Sequence, residues 1–207
     1  MNSYAQAANR VREDLPIDPG PRDFVRFATL AANSHNTQPW KIRIAEDSID
    51  ILPDFARRTP VVDPDDHHLY VTLGCAAENL VIAANASGRA AKTSVHTDDA
   101  GDTFIRIDLS RQGPETDRTL CDAIPKRQST KSEYDGTQVS GEEWRALEKS
   151  AAGQGVHAFF ITDRERMDQA LPFIQAGNSA QMDDPDFVRE LKSWIRFSTN
   201  ASIKAGV

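Results

Sequence analysis

Apolar positions along the chain change their spacing segment by segment. From Arg22 to Ala32, the residues Phe24, Phe27, Ala28 and Ala31 fall on one face of a helical projection, which predicts a helix over 22–32 with Asn33 as its stop. Trp40 to Ile44 then alternates, Ile42 and Ile44 against Lys41 and Arg43. Ser48 to Leu52 repeats the alternation after a polar turn, which predicts a β-hairpin. Between helix and hairpin, Pro39 predicts an extended Gln38. Asp63-Pro64-Asp65-Asp66 reads as a helix start, with an aspartate cap, proline at the first position and acid in the first turn. That helix is expected to run to about Ser87, with Gly88 ending it. Strands are predicted near 93–97 and 103–109, split by Asp98-Asp99-Ala100-Gly101. Ser140 with Glu143, and Thr162 with Glu165, form capping boxes for two further helices. Asp184-Pro185 opens a last amphipathic helix with Phe187, Leu191, Trp194 and Ile195 on its apolar side.

The pattern also echoes itself. Displacing the chain by 117 positions lays Phe27 on Trp144, Leu30 on Leu147, Ile42 on Phe159 and Ile44 on Ile161, so helix, loop and strand recur in order. The loops differ: Ser34-His35-Asn36-Thr37-Gln38 is strongly polar, whereas its counterpart is Ala151-Ala152-Gly153-Gln154-Gly155. In the same register Arg127-Gln128-Ser129-Thr130-Lys131 falls on Arg10-Val11-Arg12-Glu13-Asp14. Two related halves, 1–118 and 119–207, are therefore expected, each holding what the other lacks.

Composition narrows the classes. A chain of 207 residues with 39% hydrophobic and 27% charged residues can bury a core and is expected to be soluble. The longest purely aliphatic run, Leu80 to Ala84, is too short for a bilayer, and residues 1–14 carry no apolar signal segment. No membrane role is expected. The net charge of −7 argues against a nucleic-acid partner, so a phosphate ligand would need a local basic site. Cys75 and Cys121 have neither the spacing nor the density of a disulfide framework, which suits the cytoplasm; both are expected as buried small hydrophobes.

Two segments carry candidate chemistry. In Lys126-Arg127-Gln128-Ser129-Thr130-Lys131, an extended backbone would put Arg127, Ser129 and Lys131 on one face. A planar fork, a hydroxyl and a second cation suit a phosphate monoester, and the same spacing also suits a solvated basic turn. The loop Ala31 to Trp40 is rich in neutral donors and acceptors, which can match an uncharged polar surface without trapping an unpaired charge. Other clusters are weaker. Asp65-Asp66-His67-His68 are neighbours that point in different directions on a helix, so no metal site is expected. Ser34-His35 lacks a nucleophile elbow, and His35 either orders the loop or faces a ligand. Gly74 within a helix suggests close packing or a plain helix start.

"KRQSTK", followed by an aromatic residue and a capped helix, resembles the flavin-phosphate segment of the FMN-dependent nitroreductase family. "ANSHNTQPW" resembles that family's Pro-Ser-Ser-x-Asn-x-Gln-Pro-Trp loop, and Leu73 to Gly88 resembles the helix that follows it. The order of the two motifs is reversed, which is similar to an internally duplicated branch in which one chain imitates the family's homodimer. The resemblance implies an α+β, nitroreductase-like fold: a mainly antiparallel sheet with helices on both faces, built as two related halves. It implies that Arg127, Gln128, Ser129 and Lys131 hold the FMN phosphate, and that Ala32, Asn33, Ser34 and Asn36 line the isoalloxazine or ribityl chain. NAD(P)H would reduce the flavin, which would reduce a nitro-aromatic, a quinone or a similar small-molecule acceptor. The alternatives are a flavin-binding storage protein without turnover and a cofactor-free remnant. No side chain is assigned a catalytic role. Three departures stand against the family pattern. Ala32 replaces its proline, Asn33 replaces a serine, and no Pro-Ile-Glu-Gly-like segment follows Gly88. The second half also ends without a counterpart of the 73–88 helix, which leads to the expectation of a C-terminal truncation or of a homodimer that supplies the missing layer.

Overall fold

The computed structural model describes residues 3–113, 117–129, 132–153 and 155–205. Two compact units emerge, Met1–Arg127 with Pro185–Val207, and Gln128–Asp184. The expected halves, 1–118 and 119–207, concern relatedness, which packing does not decide.

The first unit begins with α1 (Ser3–Val11) and α2 (Pro21–Ala28). Helix α2 starts one residue before the expected 22–32 and ends at Ala28, short of the Asn33 stop, with Pro21 at its first position and the Asp23 carboxylate accepting from the Gly20 amide at 2.9 Å. Its apolar stripe is wholly buried at Phe24, Phe27 and Ala28. The expected hairpin forms from β1 (Trp40–Ile44) and β2 (Ser48–Pro53), closed by the Ala45 amide donating to Ser48 O at 2.8 Å. After α3 (His67–Ala86), β3 (Ala91–Thr97) and β4 (Thr103–Leu109) form the second predicted hairpin. The sheet runs β1-β2-β4-β3 and is antiparallel throughout.

Helix α3 is the core element. Leu69, Leu73, Ala76, Ala77, Leu80, Ala83 and Ala84 are buried, and it packs on α2 and across β2, β3 and β4. By length and composition alone it would pass for a membrane span, but half of that stretch is buried within the protein. It starts three residues later than expected. Asp63 remains outside the helix, and its carboxylate accepts from the His68 and Leu69 amides at 2.9 Å each, capping the first turn from a distance. The stop at Gly88 is as expected, at φ +77. Gly74 is not closely packed: a methyl group added there meets nothing within 4 Å. Cys121 is buried, and burial pushes its thiol pKa up, whereas Cys75 is exposed because it lies off the buried face of α3.

Side chains alternate across β2, so Ile49 and Ile51 face the core while Asp50 faces away. Asp50 is nevertheless only 3% exposed, because Arg43 on β1 and Arg106 on β4 flank it in register and close over it. Where a second helix layer is expected, this face carries a charged row.

Beyond α4 (Thr119–Ala123), the second unit holds α5 (Gly141–Ala151) and α6 (Arg164–Asp183). The Ser140–Glu143 capping box forms as expected. The cap of α6 is Asp163 rather than Thr162, its carboxylate accepting from the Arg166 amide at 2.9 Å. Residues 157–161, expected as a strand by the internal echo, form none. No neighbouring strand pairs with them, and an extended segment gains little without a ladder. Phe159 is 88% exposed, and no described residue of this unit is buried. Two helices, α7 (Pro185–Trp194) and α8 (Thr199–Ala205), return to the first unit, where α8 packs on α1. The expected apolar side of α7 is half-covered at Phe187, Leu191 and Trp194, while Ile195 is exposed.

Candidate functional site

The loop between α2 and β1 is built with unusual backbone geometry. His35, Asn36 and Gln38 have φ of +48, +54 and +50, three non-glycine residues in the left-handed region within four positions. Each such residue costs of order 1 kcal/mol, and clustered strain of this kind concentrates at ligand sites. The expected extended Gln38 is overridden by the loop's own hydrogen bonds. Its amide donates to Asn33 Oδ1 at 2.9 Å, and its carbonyl accepts from the Trp40 amide at 2.9 Å. Arg57 donates to Thr37 O from the far side, and Thr37, Pro39 and Trp40 are buried beneath.

This scaffolding sorts the predicted loop residues. Asn33 is a staple: Oδ1 accepts from the Gln38 amide, while Nδ2 donates to Ala31 O at 3.1 Å. Both functions of its amide are spent within the loop. Ala32 and Asn36 are exposed. Asn36 Oδ1 accepts a long 3.4 Å bond from Gln38 Nε2, leaving Nδ2 without a partner among the described residues. The Ser34 hydroxyl and the amides of Ala32, Asn33, Ser34 and His35 likewise donate to no acceptor among the described residues. His35 Nε2 is buried without a partner, as is Asp66 Oδ1. A buried polar atom left unmet costs about 1–3 kcal/mol.

Below the loop, Ser34, Thr37, Arg57, Thr59, Asp63 and His68 border a cleft of about 10 Å³. That is room for about one water molecule and no ring. A planar ligand would therefore have to lie on the open side, over Ala32, Ser34 and Asn36. Glu190 from α7 braces the neighbouring segment, its carboxylate accepting from the Val61 and Val62 amides at 2.9 and 3.2 Å. A hollow of about 450 Å³ in the second unit, lined by His157, Phe159 and Phe160 among others, contains none of the predicted residues.

Of the basic segment, Arg127 belongs to the first unit and stands beside the loop, Nη2 donating to Leu30 O at 2.9 Å. One arm of its fork is thus spent on the chain, and the guanidinium makes no ion pair with a described carboxylate. Gln128 and Ser129 are exposed and belong to the second unit. Lys131 lies outside the described residues. Arg12, Arg26, Arg57 and Glu190 left no signal in the sequence. Each acts on main-chain atoms 12 to 129 residues away, where no local spacing applies.

The rim suits a flat ligand edged with carbonyl and N–H groups. Four amides and a hydroxyl can donate, the side chain of Asn36 can do either, and no carboxylate of the loop stands to repel an anion. These features fit a flavin mononucleotide, with Arg127 close by for its phosphate.

No protein-family model matches the chain. It is similar to two curated proteins of Mycobacterium tuberculosis, from strains CDC 1551 / Oshkosh and ATCC 25618 / H37Rv, named "Putative NAD(P)H nitroreductase MT3217" and "Putative NAD(P)H nitroreductase Rv3131". Identity to each is 26% over 210 residues, covering 99% of this chain and 57% of the relative. The chain thus spans little more than half the length of the relatives it matches. The α+β fold with its four-stranded antiparallel sheet is compatible with that similarity.

Proposed function

We propose that this chain binds FMN and contributes to an NAD(P)H oxidoreductase of nitroreductase type, acting on nitro-aromatic, quinone or similar small-molecule acceptors. The observation that carries the reading is the strained Ala31–Trp40 loop, several of whose donors have no partner among the described residues while its own staples fix their positions. Similarity along nearly the whole chain to proteins with nitroreductase names supports the reaction class.

When bound, the flavin supplies the redox chemistry, taking hydride from NAD(P)H and passing electrons to the acceptor. The chain's residues hold and orient it. The amides of Ala32 to His35 would donate to ring or ribityl oxygens, with the Ser34 hydroxyl and the Asn36 carboxamide completing the edge. Asn33 keeps those amides in place by stapling Gln38 to Ala31. Arg127 would place its remaining donors on the phosphate, joined by Gln128, Ser129 and Lys131. A cytoplasmic setting is part of the proposal, as is a homodimer in which a second copy covers the exposed apolar residues of α5 and α6. The division into two related halves also stands as a proposal.

The test is the visible absorption spectrum of the protein after incubation with FMN and desalting, followed by anaerobic addition of NADPH. Retained flavin absorbance that bleaches with NADPH supports the proposal. Retained flavin that stays oxidised supports a carrier without turnover, and a colourless protein refutes flavin binding by this chain.

A further inference from the structure

Three arginines form a closed circuit of contacts around the loop, and none of the described contacts is to a carboxylate. Arg26, on α2, donates through Nη1 to Val11 O at 3.1 Å and to Glu13 O, and through Nη2 to Asp14 O at 3.1 Å. Arg12, inside the segment so held, donates through Nη1 to Pro125 O at 2.7 Å and to Arg127 O at 2.9 Å. Arg127 returns to the end of α2 through its bond to Leu30 O, two residues before Ala32. The circuit links α2, residues 11–14, residues 125–127 and the loop entrance. Main-chain carbonyls are partial charges, and none of the three guanidiniums forms an ion pair among the described residues.

We propose that Arg12 is a positioning residue for anion binding at this site. By gripping the carbonyls on either side of Lys126, it fixes the backbone from which Arg127 reaches the loop and orients the guanidinium toward a phosphate monoester. This inference rests on the flavin reading and deepens it. Arg12 lies 115 residues from Arg127 in sequence and acts through it.

Wild type, Arg12→Gln and Arg12→Lys are compared by fluorescence titration with FMN and with riboflavin, which lacks the phosphate, alongside thermal unfolding of each flavin-free protein. Arg12→Gln is expected to weaken FMN about tenfold, the loss of one charge-assisted contact, and riboflavin by less than about threefold. Arg12→Lys, which keeps a cationic donor, is expected to recover most of the FMN affinity. Raised salt should narrow the wild-type preference for FMN over riboflavin. Equal weakening of both flavins by Arg12→Gln would mean a merely structural role and overturns the inference. An unchanged FMN affinity in Arg12→Gln overturns it as well, while wild-type flavin binding stands. A wild-type chain that binds neither flavin overturns the flavin reading and this inference with it.

Discussion

Asp50 offers a stability test that does not depend on any ligand. It sits mid-strand on β2 at 3% exposure, between Arg43 and Arg106 on the two neighbouring strands. Oδ1 accepts from Arg106 Nε at 2.7 Å, and Oδ2 accepts from Arg106 Nη2 at 2.9 Å and Arg43 Nε at 2.8 Å. Both guanidiniums also stand near the Phe104 ring, 5.5 and 5.7 Å from its centroid. Replacing Asp50 with Asn keeps the shape and removes the charge. Stranding a fully buried ion partner costs about 3–5 kcal/mol, but the arginine side chains here are 55% and 36% exposed and can rehydrate. The expected loss is therefore about 2 kcal/mol, the value of one or two hydrogen bonds to a charged group. In a chain of this size that lowers Tm by roughly 4–8 °C.

The pH dependence gives the sharper check. The Arg106 hydrogen bonds, with help from Arg43, hold the Asp50 carboxyl below its ordinary value of 3.8, against the opposing effect of burial. As pH falls, the unfolded chain takes up its proton first, so protonation favours unfolding. The Asp50 contribution is thus complete above about pH 5 and fades as pH drops below about 4, through the lowered folded-state pKa. Urea unfolding of wild type and Asp50→Asn should show a constant gap from neutral pH down to about 5, closing in more acidic buffer. A gap below about 0.5 kcal/mol at neutral pH, or one that widens in acid, would refute the view of Asp50 as an ionised tie between the strands.

Three further outcomes are expected. Asn33→Ala, which removes the staple but leaves every proposed donor, should weaken FMN and riboflavin alike by about tenfold; titration fluorescence checks it, and unchanged binding would show that the loop holds its shape without Asn33. Gly74→Ala should raise stability by about 0.5–1 kcal/mol, because a methyl group there meets open space in a helix that favours alanine; a lower Tm by calorimetry would reveal unseen packing at that position. The apolar exposure of Tyr134, Phe159, Phe173 and Ile174 should drive self-association, readable by light scattering; a stable monomer holding one tightly bound FMN would show that the second unit needs no cover.

Local rules carried the parts of this fold whose causes are local. Alternation at Ile42/Ile44 and Ile49/Ile51 was enough for the first hairpin, Gly88 for the end of α3, and Ser140 with Glu143 for the start of α5. In each, a few neighbouring residues settle the backbone. The polar loop was likewise visible, because its composition is unusual for a connector. Its conformation was not: Pro39 favours an extended Gln38, and the Gln38 amide donating to Asn33 Oδ1 and its carbonyl accepting from the Trp40 amide reverse that preference. Asp63 and Asp66 exchanged the expected role of helix cap for the same reason, since the carboxylate of Asp63 reaches two amides five and six residues on. The echo at 157–161 kept the residue pattern of a strand and lost the strand, because a ladder needs a neighbour that periodicity cannot supply. Asp50 shows the limit most clearly. On sequence it is the polar half of an alternation, facing water. Only the pairing of β2 with both β1 and β4 sets an arginine on each side, and those two charges turn an exposed position into a buried one.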